Sequence, residues 1–218
     1  MAGRISLGIL ASGEGLTFEG LVAGSTAGRI PAQVAILLTD RPGAPVLARA
    51  ERLGIPAVCL PRRGVPDAAW ADRADRSLAA AGAELLVLAG FLSILPREFV
   101  DRWAGRAVNL HPSLLPKYGG PGFYGLRVLR AALAAGDRET GATVHLVTAS
   151  VDRGEVLEQR RLPIDPGESV ETLRERLRPV ELEALESVIR RFAERSGRTP
   201  PPTGRTGAAP GAAGRGGD

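Results

Sequence analysis

Short apolar runs alternate with amphipathic stretches through residues 5–88, and this alternation constrains the possible fold more than any other feature of the chain. Strands separated by helices of about ten to fifteen residues are typical of βαβ units, in which crossover helices join parallel strands. The first half of the chain therefore predicts a mostly parallel sheet. Strands are predicted over 5–10, 34–38, 57–60 and 85–88, and helical segments over 16–22, 45–53 and 67–82, the last with Asp67 as its N-cap.

The rhythm changes after residue 89. Two apolar strands flank the tight turn at 151–154, which predicts an antiparallel pair. Pro179 lies inside the closing helix and should kink it or break it in two. The predicted fold is α/β, a three-layer sandwich with a mostly parallel, Rossmann-like central sheet and an antiparallel strand in the C-terminal half. The elements of this half are helices over 95–104, 126–135 and 169–191, and strands over 107–110, 144–147 and 156–161.

Residues 1–195 are predicted to form one domain with two halves, 1–100 and 101–195. The chain has 218 residues and an apolar content of 44%, which is enough for a substantial core. Residues 196–218 contain mainly Pro, Gly, Ala and Arg without periodicity, which predicts a disordered tail.

Composition excludes several classes of function. Half of the net charge of +4 comes from the tail at 196–218, and aromatic residues make up only 4% of the chain. No nucleic-acid partner is therefore expected. The chain has no apolar run of membrane-spanning length. Cys59, the single cysteine, lies in an apolar run and predicts a packed core thiol. The absence of a disulfide framework and of a signal-peptide layout predicts a cytoplasmic protein, and two histidines are too few to predict a metal site.

The loop after the first strand, Gly13-Glu14-Gly15-Leu16-Thr17-Phe18, is a candidate anion site. Glycines let backbone N–H groups approach an anion at the start of a helix. The loop does not match a dinucleotide-binding fingerprint, because Phe18 occupies the position of the third glycine, and it lacks the Lys of a P-loop. Two interpretations stay open: a phosphate-binding loop and a bare tight turn.

Asn109 and His111 are the strongest candidates for chemistry. Residues two apart on a strand point to the same side, so an amide donor and an imidazole can converge on one reacting atom. A protonated His111 would need a carboxylate partner, and Asp152 in the predicted turn is the best candidate. The alternative is a structural histidine that caps the Pro-rich loop. His145 alone fits a hydrogen-bonded sheet histidine better than a catalytic one.

The apolar loop at 90–96 follows the fourth strand. Ligands of open α/β sheets bind beyond the carboxyl ends of the strands. The loop can wrap a flat ligand there, or it can be ordinary core before a helix.

Four segments together resemble the folate-dependent formyltransferases. They are residues 10–15, 87–95, 141–154 and the string Asn109-Leu110-His111-Pro112-Ser113-Leu114-Leu115-Pro116. The resemblance spans roughly residues 4–192. It implies 10-formyltetrahydrofolate as co-substrate, no metal, and transfer of the formyl group to the amine of 5-phosphoribosylglycinamide in purine biosynthesis. It also implies small-molecule substrates only, and a monomer or homodimer.

The resemblance assigns roles to individual residues. Asn109 would hold the carbonyl oxygen, and His111, kept protonated by Asp152, would donate the proton. The half 1–100 would bind the acceptor phosphate, and the half 101–195 would carry catalysis and folate binding. Donor contacts would come from Leu92, Ser93, Ile94, Leu95 and Asn109, and acceptor contacts from Gly15, Leu16, Thr17, Arg106 and Glu181.

The chain departs from the family at the anion loop, where Leu16 and Thr17 replace the usual Ser-Asn. Loss of one hydrogen bond to phosphate would cost about 1.5–3 kcal/mol. The change equally fits a different acceptor amine, or a folate-binding pseudoenzyme that has lost turnover. Family members that act on methionyl-tRNA or deformylate the folate carry an additional domain that is not expected here.

Overall fold

Seven strands form a single sheet in the computed structural model, which describes residues 3–197. The order across the sheet is β3-β2-β1-β4-β5-β6-β7, and β6 runs in the direction opposite to the other six strands. The predicted fold class is confirmed, including the single reversed strand in the C-terminal half. The strands are β1 Ile5–Leu10, β2 Ala32–Thr39, β3 Ala57–Cys59, β4 Leu85–Leu88, β5 Ala107–His111, β6 Glu139–Leu146 and β7 Val156–Pro163.

Helices cover both faces of this sheet and give it three layers. They are α1 Leu16–Thr26, α2 Pro45–Arg52, α3 Asp67–Ala80, α4 Arg97–Arg102, α5 Leu126–Ala134 and α6 Val170–Arg195. Asp67 is the first residue of α3 and not its N-cap, a position that Pro66 takes. The Asp67 carboxylate pairs with Arg62 instead, at 2.7 Å.

The last helix, α6, runs through Pro179 as one element, so the predicted break does not occur. A proline inside a helix removes one backbone hydrogen bond. Buried apolar residues lie on both sides of it, among them Leu177 before and Ala184 after, and they pack into the same core. This burial holds the two parts of the helix to one surface and offsets the missing bond.

Two hydrophobic cores lie on the two faces of the sheet. The larger one joins the sheet to α1, α2, α5 and α6, and includes Phe18 and Ile189. The smaller one lies beneath α3 and α4, where Trp70 and Phe99 meet edge to face with ring centroids 5.5 Å apart. The thiol of Cys59 is half-buried at the end of β3, and burial, followed by the charge of Asp40, raises its pKa.

Strand register brings the polar segments of the chain to one edge. Leu10 of β1 pairs with Leu88 of β4, Leu88 pairs with Asn109 of β5, and Asn109 pairs with His145 of β6. The loops after β1 and β4 therefore begin at the level of Asn109, and His111 extends beyond them. This edge is where an open α/β sheet binds its ligands.

No helix within residues 3–197 is long and apolar enough to cross a membrane. The predicted disordered tail lies outside the described residues, except for Ser196 and Gly197, which form a turn after α6.

Candidate active site

A cavity of about 610 Å³ opens along this edge of the sheet. It brings together the three loop regions that the sequence singled out, together with a Gly-rich loop, the turn after β6 and part of α6. Its lining comes from residues 13–17, 88–95, 100, 109–112, 120–126, 145, 147–149, 151–152 and from Arg174, Arg178 and Glu181.

His111 is buried at the end of β5, with 4% of its surface exposed. Its Nε2 atom lies 2.8 Å from the carbonyl oxygen of Tyr118, which can only accept, so Nε2 carries a hydrogen. Its Nδ1 atom lies 3.6 Å from Oδ2 of Asp152. Burial lowers the pKa of His111, although Asp152 and the Tyr118 carbonyl oppose the shift; His145 adds to it. Burial and the charge of Asp152 thus act on the pKa of His111 in opposite directions, and burial is the larger of the two effects.

Asp152 lies in the turn after β6, with a left-handed backbone at φ 54°. The backbone N–H of Gly120 donates to its Oδ2 atom at 2.9 Å. Burial alone would raise the pKa of Asp152. The neighbouring imidazoles of His145 and His111, followed by the Gly120 N–H, together lower the pKa below its usual range. The carboxylate is thus charged and faces both histidines.

Asn109 and His145 meet across the β5–β6 pair. Nδ2 of Asn109 lies 3.0 Å from Nε2 of His145, whose Nδ1 donates to the carbonyl of Leu146 at 2.9 Å. In this tautomer Nε2 of His145 accepts a hydrogen from the Asn109 amide. The second amide hydrogen of Asn109 points to Oδ1 of Asp152, and the Nδ2–Oδ1 distance is 3.4 Å. This hydrogen bond is long, so the carbonyl oxygen of a ligand can replace Asp152 as its acceptor. His145 is thus a member of the site as well as of the sheet, which the sequence alone did not indicate.

The anion loop turns sharply into α1 at Gly15. Gly15 has φ 73° and is the N-cap of α1, and no side chain within the described residues caps this helix. A Cβ at Gly15 would lie 2.3 Å from Cγ2 of Val46. The first N–H groups of a helix lack partners within it and favour an anion. Since residues 15–17 line the cavity, the geometry favours the phosphate-binding interpretation over a bare turn.

Two arginines of α6 stand near this loop, and the sequence analysis missed them. A Cβ on Gly20 would touch Leu182, and one on Gly24 would touch Glu186, so α1 and α6 run side by side in the same direction. This alignment carries Arg178 towards the start of α1. The signal was available, because residues 174, 178 and 181 are spaced to share one face of a helix.

Glu181 lies on that same helix face, 4% exposed. Burial raises its pKa to about 7, although the charges of Arg174 and Arg178 act to lower it. A carboxyl group with such a pKa changes its charge within the physiological pH range. Its position in the cavity beside two cations agrees with the predicted acceptor contact.

The loop after β4 is tied to two other strand ends through Asp40. The N–H of Leu92 donates to Oγ of Ser12 at 2.8 Å, and Ser12 Oγ donates to Oδ1 of Asp40. The hydroxyl of Ser93 donates to the other oxygen of Asp40. Asp40 is buried, and the sequence analysis did not single it out. The network leaves the apolar side chains of Leu92 and Ile94 partly exposed at the cavity, as the predicted donor pocket requires.

Arg106 does not reach the cavity, so its prediction as an acceptor anchor was wrong. It precedes β5 and therefore lies at the opposite end of the strand from His111. Its guanidinium stacks on the ring of Trp103 at 4.6 Å and donates to the carbonyl of Arg102. The partners of the Arg106 guanidinium therefore lie at the end of α4, away from the cavity.

The polar groups of the cavity suit proton transfer and hydrogen bonding to a carbonyl. Within residues 3–197, no three His, Cys, Asp or Glu side chains form a group that could hold a metal ion. The centre of the cavity instead combines two imidazoles, one carboxylate and one amide.

Comparison with known proteins agrees with this chemistry. The family model described as "Formyl transferase" matches residues 6–189. A phosphoribosylglycinamide formyltransferase of Haemophilus influenzae is 36% identical over 189 residues, 86% of this chain and 87% of that protein. A trifunctional purine biosynthetic protein, adenosine-3 of Drosophila melanogaster, is 37% identical over 82% of this chain, which spans only 13% of that longer protein.

Solved structures give the same result. The glycinamide ribonucleotide transformylase 1 of Symbiobacterium toebii superposes with a TM-score of 0.81 and 36% identity, covering 88% of this chain and 89% of its own. The residues that the family model matches, 6–189, include every segment that lines the cavity. The chain therefore belongs to the formyl transferase family.

Proposed function

We propose that this chain transfers the formyl group of 10-formyltetrahydrofolate to the amine of 5-phosphoribosylglycinamide, a step of purine biosynthesis. The observation that supports it most is the layout of one cavity. A helix start with unpaired N–H groups and two arginines occupies one part, an apolar loop occupies another, and Asn109, His111 and Asp152 line the same space. A phosphorylated amine and a flat formyl donor fit such a layout, and the names of the relatives agree with it.

The donor would bind against residues 92–95. Leu92 and Ile94 expose apolar surface that can pack on a flat heteroaromatic ring. The backbone of the same loop offers N–H and C=O groups to the ring edge. Because Asp40 fixes the loop through Ser12 and Ser93, this surface is formed before the donor binds.

The acceptor phosphate would bind at the start of α1. The backbone N–H groups of Leu16 and Thr17 and the hydroxyl of Thr17 supply donors. Leu16 lacks the hydroxyl of the usual serine, but Arg178 and Arg174 line the same cavity and can pair with the phosphate. These cations offset the lost hydrogen bond, so Leu16 does not require a different acceptor.

The reaction would be a direct attack of the amine nitrogen on the formyl carbon. Negative charge develops on the formyl oxygen, and the Asn109 amide hydrogen that now faces Asp152 donates to it. The new carbon–nitrogen bond forms as the bond to N10 of the folate breaks. His111 starts neutral, because burial lowers its pKa, so Nδ1 can take the proton that the amine releases and donate it to N10. Asp152 stabilises the imidazolium during this transfer.

The test is an assay of the purified chain with both substrates. We expect release of tetrahydrofolate that depends on phosphoribosylglycinamide, and a loss of about 100- to 10,000-fold in kcat for His111→Ala. The matched control is Arg97→Ala, an exposed side chain on α4 whose charged partner among residues 3–197 is Asp101. Binding of the donor without formylation of this amine would reject the proposal. Formylation of other amines would then indicate an altered acceptor, and failure of every amine would indicate a pseudoenzyme.

A further inference from the structure

Residues 117–120, here called the bracket, hold two members of the catalytic group through the main chain. The carbonyl of Tyr118 accepts from Nε2 of His111 at 2.8 Å. The N–H of Gly120, two residues later, donates to Oδ2 of Asp152 at 2.9 Å. The distance between Nδ1 of His111 and Asp152 therefore depends on how rigidly the bracket is held.

The backbone of the bracket includes a residue in an unfavourable conformation. Tyr118 has φ 55°, a left-handed conformation that is uncommon for residues other than glycine. Such a conformation costs of order 1 kcal/mol or more and persists only where the surroundings fix it. Something outside the bracket must therefore stabilise it.

The hydroxyl of Ser113 supplies part of that support by donating to the carbonyl of Lys117 at 2.6 Å, and Asp137 supplies the rest from the far side of the bracket. Its Oδ1 atom accepts from Nζ of Lys117 at 2.6 Å, and its Oδ2 atom accepts from the hydroxyl of Tyr118 at 2.8 Å. The hydrogen bond from Lys117 is the main reason that the pKa of Asp137 is lowered, against some burial, and Tyr118 adds to the shift. Asp137 lies in the turn between α5 and β6, where its own N–H bonds to the carbonyl of Ala132.

Neither Asp137 nor the side chains of Lys117 and Tyr118 line the catalytic cavity. Their polar contacts run along the outer side of the bracket, while the Tyr118 ring packs on Phe123 of the cavity lining with centroids 5.8 Å apart. Only the main chain of Tyr118 reaches His111. A role in direct contact with substrate is thus excluded by position. What remains is control of the geometry of the catalytic pair.

We propose that Asp137 is a positioning residue, which clamps Lys117 and Tyr118 and so orients His111 and Asp152 for proton transfer. The activity part of this proposal rests on the proposed formyl transfer. The geometric part does not, since it concerns the environment of an imidazole in the protein alone. The two parts can therefore be tested separately.

Nuclear magnetic resonance gives the first test, because the chain has only two histidines. The pH titration of each ring is followed without substrates, and His145→Gln assigns the two signals. Burial and His145 lower the pKa of the His111 ring, and Asp152 and the Tyr118 carbonyl raise it. In Asp137→Asn we expect the midpoint of His111 to move to lower pH, because the carbonyl is no longer held against Nε2, while the midpoint of His145 stays.

Kinetics give the second test. In Asp137→Asn and, less strongly, in Tyr118→Phe, kcat should fall about 10- to 100-fold, since small misplacements of reacting groups have effects of this size. The KM values of both substrates should change less than about threefold, because neither side chain lines the cavity. Asp101→Asn, an exposed carboxylate on α4 paired with Arg97, is the matched control.

The outcomes separate the two proposals. Tyr118→Phe removes only a hydroxyl, so it serves if Asp137→Asn does not fold. An unchanged His111 midpoint in either folded variant would overturn the positioning role. A shifted midpoint in a protein whose parent forms no formylated product would support the positioning role and reject the proposed substrate. A fall in folded protein with normal kcat per folded molecule would make Asp137 merely structural and overturn the proposal.

Discussion

At the scale of single residues, the cavity holds two buried carboxyl groups whose pKa values are shifted in opposite directions. The neighbouring imidazoles and the Gly120 N–H outweigh the burial of Asp152, so its pKa is lowered. Burial dominates at Glu181, and the charges of Arg174 and Arg178 oppose it only in part, so its pKa rises to about 7. Groups separated in this way can take different roles at one pH. Asp152 is suited to stabilise a cation, and Glu181 to accept or donate a hydrogen bond to the acceptor.

Glu181 should destabilise the protein above neutral pH. Its folded pKa of about 7 exceeds its ordinary value of 4.5, so the folded state binds a proton more tightly than the unfolded chain does. The stability that this group contributes is present below pH 4.5 and is lost as pH rises through 7, a change of about 3 kcal/mol. Glu181→Gln should therefore unfold at higher urea concentration than the parent at pH 8, with a smaller difference at pH 5. An equal difference at both pH values would contradict this.

Asp152→Asn should move the acid limb of the pH profile of kcat to lower pH. The pKa of His111 already lies below its ordinary 6.5 because of burial, and the charge of Asp152 holds it up. Without that charge the pKa falls further, so the neutral ring persists to lower pH. We expect kcat at pH 7.5 to fall about 100-fold or more, since the imidazolium loses its partner. Measurement of kcat from pH 5 to 8 checks both effects, and a limb that moves to higher pH would reject this role of Asp152.

At the scale of elements, sequence patterns were sufficient for the strands and for the Asn109–His111 pair, because alternation within one strand fixes which side chains share a face. They were not sufficient for His145, whose contact with Asn109 depends on the register between β5 and β6. That register is set by the whole connection at 112–138, which no local pattern encodes. The hydrogen bond from His111 to a backbone carbonyl could not be predicted either, since every residue carries a backbone carbonyl whatever its side chain. Arg106 was misplaced because adjacency in sequence to β5 was taken as adjacency to its functional end.

Asp40→Ala should weaken donor binding more than acceptor binding. Asp40 joins the ends of β1 and β2 to the loop after β4 through Ser12 and Ser93. Loss of each hydrogen bond to a buried charge costs about 1.5–3 kcal/mol. The loop after β4, once it is no longer held by Asp40, recovers part of this free energy. We expect the KM of the donor to rise about tenfold or more and that of the acceptor about twofold. The control is Asp67→Ala, an exposed carboxylate, and steady-state kinetics with each substrate varied would show the contrast; equal increases would refute it.

At the scale of the whole molecule, the two halves of the chain share a single sheet. β4 pairs with β5 where the halves meet, and α6 from the second half packs on α1 from the first. The cavity takes residues from both, so neither half contains a complete site. The proposed acceptor site therefore draws on both halves, since Arg174, Arg178 and Glu181 of the second half line the same cavity as residues 15–17. The sheet also separates two cores, which are expected to respond to substitution independently.

Phe99→Leu and Ile189→Val should have additive effects on stability. The two residues are fully buried in different cores, on opposite faces of the sheet. Each loss of buried volume costs about 0.5–1.5 kcal/mol, and sites this far apart couple weakly. The double variant should lose the sum of the single losses to within about 0.5 kcal/mol in urea unfolding. A larger discrepancy would mean that the sheet transmits strain between its faces.

The dependence of the anion loop on its main chain has a consequence for how related proteins are found. At position 16 the backbone N–H group points the same way from leucine as from serine, so this donor survives the change of side chain. Gly15 cannot be replaced in the same way, because its left-handed backbone and the approach of Val46 leave no space for a Cβ. A survey that demands Ser-Asn after the glycine would discard sequences such as this one as non-members. A survey that demands only the glycine, together with a cation one turn before the α6 carboxylate, would recover them and reveal how freely this loop has diverged.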